Sequence, residues 1–183
     1  MEIRFHGRGG QGVVSASRIL AEAALTKGLY IQAFPEFGAE RAGAPIAAYT
    51  RLSDRPIEIH SFIYEPDVVV VVDKGMVFYP IIREGLKRGG KVVVNYAGDP
   101  KIVREKHALN SETTVVTVDA TTIALETIGR DIPNTPMLGA FLRVCEHVDL
   151  GSVETVLSKR FKGSILEKNK EALRRGYEEA KVG

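Results

Sequence analysis

Val68 to Val72 is a run of five valines, closed by Asp73. A continuous β-branched run shows no polar alternation, so it leaves neither face of a strand for water. That pattern belongs to a strand inside a parallel sheet with other elements packed on both faces. Lys91 to Asn95, with Val92-Val93-Val94, and Thr114 to Val118, which ends at Asp119, read the same way. Helical stretches separate these strands. The alternation predicts an α/β chain: a mostly parallel sheet flanked by helices in a Rossmann-like three-layer arrangement, with a helical C-terminal third.

The remaining elements follow from local signals. Glu2 to His6 reads as a short strand leading into Gly7-Arg8-Gly9-Gly10-Gln11-Gly12. Val13, Ala16, Leu20, Ala23 and Ala24 then fall near helical spacing, and Lys27-Gly28 supplies a cationic last turn and a glycine stop. Leu29 to Phe34 reads as a strand and the Gly/Pro-rich stretch Pro35 to Pro45 as a loop. Ile46 to Leu52 and Ile57 to Ile59 flank a turn at Ser53 to Pro56 with no helix between them, which predicts an antiparallel excursion. Tyr79 to Arg88, Pro100 to Lys106 and Thr121 to Ile128 read as helices. Thr135-Pro136 reads as the N-terminus of a helix over Met137 to Glu146. Ser152 reads as the cap of a helix reaching Arg160, and Ser164-Ile165-Leu166-Glu167 as a capping box for a final helix to about Ala180.

At 183 residues the chain suits one domain, 1–183. A net charge of +2 is too small and too evenly spread to point to nucleic acid. No apolar stretch reaches the roughly 18 residues of a membrane helix, and no apolar signal region opens the chain, so the expected location is cytoplasmic. Cys145 is the single cysteine. It excludes an intrachain disulfide and an iron–sulfur cluster, which typically takes about four thiolates.

Gly7-x-Gly9-x-x-Gly12 matches the dinucleotide fingerprint in letters and in context, since it follows a strand and opens a helix. Glycines let the backbone approach a ligand, and the helix N-terminus offers free N–H groups to an anion. Arg8, Gly9, Gly10, Gln11 and Gly12 are therefore the candidate ligand-binding residues. The full fingerprint also wants an acid at the end of the second strand to hold a ribose. Here that strand ends Gln32-Ala33-Phe34-Pro35, and Glu36 and Glu40 lie beyond it. Three readings stay open for the loop: a tight strand–helix turn alone, a free-standing nucleotide-binding oxidoreductase domain, and a site for another anion.

The loop belongs to a longer pattern. His6-Gly7-Arg8-Gly9-Gly10-Gln11-Gly12 resembles the opening of gamma subunits of pyruvate:ferredoxin (2-oxoacid:ferredoxin) oxidoreductases. Gln32 to Pro45, QAFPEFGAERAGAP, is similar to that family's QAFPxFGPERRGAP stretch, with Ala39 and Ala42 as departures. Tyr49 to Ile57, Asn134 to Ala140 and Glu167 to Tyr177 match in the same order, so the resemblance spans nearly the whole chain. It implies a multi-subunit enzyme that oxidatively decarboxylates a 2-oxoacid to acyl-coenzyme A and reduces ferredoxin. It implies partners of alpha, beta and delta type in a heterotetramer that hold thiamine diphosphate and the iron–sulfur clusters. This chain would carry no catalytic residue, metal or redox centre. It would help assembly and coenzyme A access, with Arg8 and the Gly9 to Gly12 amides facing an anionic group of coenzyme A or bracing a partner. Phe34, Glu36, Phe37, Glu40 and Arg41 would form a substrate channel or subunit interface.

Other polar residues divide between site and scaffold. Asp73, Asn95 and Asp119 end three strands, where ligands of open α/β sheets bind, although Asp119 also suits a helix cap. His6, His60, His107 and His147 show no metal-ligand spacing, and His6 alone stands beside the loop. Cys145 reads as a buried core thiol on a helix face.

Overall fold

The computed structural model describes residues 1–36 and 43–183. Glu2–Arg8 (β1), Tyr30–Pro35 (β2), Pro45–Ser53 (β3), Val68–Val71 (β4), Lys91–Asn95 (β5), Thr114–Val118 (β6) and Lys181–Val182 (β7) form one sheet in the order β2-β3-β1-β4-β5-β6-β7. β1, β4, β5 and β6 pair in parallel. β3 is antiparallel to both β1 and β2, and β7 is antiparallel to β6. The helices are Val13–Thr26 (α1), Pro100–Lys106 (α2), Ala120–Thr127 (α3), Asn134–Leu142 (α4), Leu150–Arg160 (α5) and Gly163–Glu178 (α6).

The valine runs do what their composition dictates. Val68, Val70 and Val72 enter the core beneath α1 and α3 to α6. Val69 and Val71 face the opposite side, with Val103 of α2 and with Met76, Val77 and Ile82. All five valines are fully buried. The two layers covering the sheet are unequal. One is five helices. The other is α2, two short 3₁₀ turns at Lys74–Met76 and Pro80–Ile82, and irregular chain.

That irregular chain departs from the sequence expectations. Ile57 to Ile59 is not a strand. Both edges of β3 are already taken by β1 and β2, so no ladder is open to it. Arg51, itself buried, instead donates from Nη1 to the Ile59 carbonyl and from Nη2 to that of Phe62. Its Nε meets Glu2 at 2.9 Å. Tyr79 to Arg88 is not a helix beyond its single 3₁₀ turn. Gly85 adopts φ +67°, and its Cα lies so close to the Tyr64 carbonyl that no side chain fits. Arg4 takes the Ile81 and Glu84 carbonyls with its Nη2. Two buried arginines thus satisfy carbonyls that a helix or strand would otherwise have paired internally.

Helix ends also differ. Gly28 ends α1 in the left-handed region, and Asp119 caps α3 by accepting from Thr122 N, both as read. α4 begins at Asn134 after Pro133, and Thr135 spends its hydroxyl on Asn169 rather than on a cap. It ends at Leu142, so Cys145 lies in the following loop, half-buried, where burial raises its thiol pKa. Asp149 caps α5, with Ser152 as its reciprocal partner at the third helical position. Lys162 precedes α6, and the box expected at Ser164 and Glu167 does not form.

α4 is buried along its whole length, a hydrophobic helix clasped between the sheet and α6. Two glycines permit the clasp. A Cβ on Gly139 would lie 2.1 Å from the Leu173 carbonyl, and one on Gly176 would lie 2.1 Å from the Pro136 carbonyl. Backbone cannot yield as a flexible side chain does. Gly139→Ala and Gly176→Ala are each expected to cost about 2 kcal/mol or more, seen as a lower urea midpoint, whereas Gly129→Ala, in open space, costs less despite its positive φ.

Candidate functional site

The site grows from the C-terminal end of β1. Gly7 and Arg8 are still strand, two residues past the expected boundary. Gly9 N donates to Ala44 O at 2.9 Å and Gly43 N to Gly9 O at 3.2 Å, so the start of the glycine loop is zipped to the chain entering β3. Gly10 and Gly12 take left-handed φ values of +96° and +77°. Gly12 is the N-cap of α1, and a Cβ there would collide with the Asn134 side chain at 2.5 Å. Glycine here serves both conformation and close approach.

The loop residues divide between two sides. Arg8 shares a strand face with Arg4 and His6, away from α1. Its Nε lies 3.3 Å from Asp73 Oδ1, and its Nη1 donates to Gly43 O. Gln11 Nε2 donates to Asp73 Oδ2 at 2.6 Å, and Gln11 Oε1 accepts from Arg8 N at 2.9 Å. Gly10 and Gly12, with Ser15 of the first turn of α1, instead line a cavity of about 610 Å³ on the helical side of the sheet. Its walls carry Ile19, Ile128, Ile132, Phe161 and Ile165, and its rim carries Arg130, Arg160 and Lys168. Arg160 pairs with Glu22. Among the described residues neither Arg130 nor Lys168 has a carboxylate partner, and no acid lines the cavity. An α-helix of 14 residues directs its first N–H groups and its positive end into this cationic space.

Of the strand-end residues, Asp73 joins the loop. Asn95 is buried between the Val72 carbonyl and Thr121, and Asp119 is spent on its cap. Phe34 packs against Tyr49 and Phe62 with ring centroids 5.2 and 6.2 Å away, and Arg51 lies over its face. Glu36 accepts from the Tyr49 hydroxyl at 2.7 Å, so the first acid after β2 is turned toward the aromatic cluster. Phe37, Glu40 and Arg41 lie outside the described residues. The sequence reading missed Arg130 and Lys168 as site residues, although Asn134 and Lys168 stand in or beside blocks already quoted for the resemblance.

His6 has its Nε2 buried with no hydrogen-bond partner among the described residues. Burial first, and the nearby Arg4 charge second, hold its pKa down at about 4. The unfolded chain would bind a proton near pH 6.5 that the folded chain refuses until about pH 4. The stability tied to neutral His6 is therefore complete above pH 6.5 and is lost as pH falls toward 4. His6→Gln is expected to flatten the fall in melting temperature over that interval relative to the wild type, leaving the curve above pH 7 parallel.

This geometry defines an α/β chain with a cationic cavity at a glycine loop, and not a dinucleotide-binding domain of ordinary order. In the latter, β2 neighbours β1 and places its terminal acid near the loop. Here β3 lies between them. The chain belongs to the pyruvate ferredoxin/flavodoxin oxidoreductase family, whose model matches residues 2–179. Pyruvate synthase subunit PorC of Thermotoga maritima is 51% identical over 184 residues, covering 98% of this chain and 94% of the relative. A crystal structure of pyruvate oxidoreductase subunit PORC from the same organism has a TM-score of 0.88 at 48% identity, covering 100% of this chain and 98% of the other. The pyruvate/ketoisovalerate oxidoreductases common subunit gamma of Pyrococcus abyssi is 48% identical over 182 residues, covering 100% of this chain and 98% of that one. At the level of fold alone, the chain matches 30% of a 2-oxoglutarate:ferredoxin oxidoreductase chain from Magnetococcus marinus. That match has a TM-score of 0.78 at 22% identity and covers 96% of this chain, and the other structure contains 2-oxoglutarate, coenzyme A and succinyl-CoA. The resemblance read from the sequence is borne out.

Proposed function

We propose that residues 1–183 act as the gamma-type domain of a multi-subunit pyruvate (2-oxoacid):ferredoxin oxidoreductase, admitting coenzyme A and bracing the assembly. The complex oxidatively decarboxylates a 2-oxoacid, transfers the acyl group to coenzyme A and passes electrons to ferredoxin. Thiamine diphosphate and the iron–sulfur clusters belong to the alpha, beta and delta type partners. Cys145 is one half-buried thiol and supplies no cluster. The complex is assigned to the cytoplasm. No helix among the described residues is long and apolar enough to cross a membrane.

The observation that carries the coenzyme A assignment is the cavity at the start of α1. Coenzyme A is a polyanion with a flat base. The helix N-terminus with Arg130 and Lys168 suits its phosphates, and the isoleucines with Phe161 suit its apolar surfaces. Of the loop Arg8, Gly9, Gly10, Gln11 and Gly12, it is Gly10 and Gly12 that form the wall of that site, while Arg8 and Gln11 hold the loop from the other side through Asp73. Phe34, Glu36 and the adjoining Phe37, Glu40 and Arg41 form the substrate-channel or subunit-interface side, where aromatic rings are effective anchors. The choice of 2-oxoacid rests with the partner subunits. The Pyrococcus abyssi relative, named as common to pyruvate and ketoisovalerate enzymes, supports that division of labour.

In the assembled complex, Arg130→Ala and Lys168→Ala are each expected to raise the KM for coenzyme A about fivefold, as for one charge-assisted contact at a wet rim, with the 2-oxoacid KM unchanged. Unchanged coenzyme A constants in both variants would leave the chain a bracing subunit alone.

A further inference from the structure

We infer that Asp73 is a positioning residue for the coenzyme A site, fixing the glycine loop through Gln11 and Arg8. The inference rests on the reading of the cavity given above.

Its basis is a closed set of contacts around a loop that has no shape of its own. Val72 N donates to His6 O at 2.7 Å, continuing the β1–β4 pairing for one residue past Val71. Asp73 therefore arrives beside Arg8. It is only 7% exposed, and each carboxylate oxygen has a separate partner, Gln11 Nε2 on one and Arg8 Nε on the other. Gln11 turns back across its own loop, its Oε1 accepting from Arg8 N. Arg8 carries the chain of contacts on to Gly43 O. Asp73 thus joins β4, the glycine loop and the entry to β3.

The loop needs such a restraint. Gly9, Gly10 and Gly12 have no side chains to pack, and glycine gains more backbone freedom than any other residue when released. Gly9 N and Gln11 N are consumed within this framework, by Ala44 O and Arg8 O. Gly10 N and Gly12 N have no acceptor among the described residues, and both glycines line the cavity. The framework thus decides which amides are spent and which are presented. An anion gains from those two amides only if they are held in place before it arrives. Asp73 would not touch the ligand: its carboxylate faces Arg8 and Gln11, and it does not line the cavity.

The test uses the assembled complex, with initial rates over ranges of coenzyme A and of 2-oxoacid. Asp73→Ala is expected to raise the coenzyme A KM about tenfold, with kcat and the 2-oxoacid KM within twofold of wild type. Asp73→Asn, which accepts one of the two hydrogen bonds, is expected to raise it about threefold. Gln11→Ala is expected to match Asp73→Ala, and the double variant to be no worse than either single one, because both break the same framework. If Lys168→Ala raises the coenzyme A KM and neither Asp73→Ala nor Gln11→Ala does, the positioning role is wrong and the cavity assignment stands. If none of the three moves it, the cavity assignment itself fails. A parallel loss in kcat and both KM values would mark general destabilisation and overturn the inference. Should Asp73→Ala fail to assemble, Asp73→Asn and Gln11→Ala decide by the same criterion.

Discussion

The insertion of β3 between β1 and β2 is the constraint on which the rest of this molecule depends. It is antiparallel to both neighbours, so it closes the open edge of β1 along its full length. Strands lie about 4.8 Å apart, which sets β2 roughly 10 Å to the side of β1, twice the lateral separation in an ordinary dinucleotide fold, and its end at Pro35 is level with Phe5, short of the glycine loop. An acid at the end of β2 cannot then hold a ribose whose phosphates sit on the loop. Glu36 is instead drawn to Tyr49 of β3. The same insertion supplies Gly43 and Ala44 as partners for Arg8 and Gly9. A motif shared in letters with nucleotide-binding enzymes is thereby converted into a different site by its neighbouring strand.

On the helical side the controlling element is α4. It carries Asn134 to within contact of Gly12, and Thr135 reaches Asn169 of α6. The cavity is the space that remains between the starts of α1 and α6, the end of α5 and the chain before α4. Its cations come from residues 130, 160 and 168, on separate segments. Their convergence depends on the tight α4–α6 packing, so the stability of the core and the electrostatics of the site share one cause.

Much of the fold could be read from the sequence because its signals are local. The valine runs, the helix stop at Gly28 and the cap at Asp119 each act within a few residues. What could not be read depends on partners far away in the chain. Ile57 to Ile59 has strand-forming residues but no free edge to pair with. Tyr79 to Arg88 has an apolar pattern, yet Arg4, about 80 residues earlier, draws off its carbonyls. β7 is two residues paired with Val116 and Thr117, too short for any periodicity. The glycine loop was visible as a motif, but its division into a framework of Arg8, Gln11 and Asp73 and a presented pair of glycines was not. That division follows from strand alternation meeting a helix start, and it appears only once β4 is beside β1.

The unequal covering of the sheet has a consequence for how the molecule opens. Five helices with a continuous apolar core hold one face. Across β1 and β3 the other face is closed by irregular chain fastened through the guanidinium groups of Arg4 and Arg51, which meet several carbonyls in a small space. Over residues 57–64 that cover has no backbone–backbone hydrogen bond among the described residues, and its apolar contact is narrow, formed by Ile63 with Ala47, Tyr49 and Phe34. It forms a low-energy opening unit that can lift while the valine strands and α4 remain closed. Amide hydrogens of residues 57–64 then exchange with solvent orders of magnitude faster than those of β4 and β5, and subunit association that covers this face would slow them selectively.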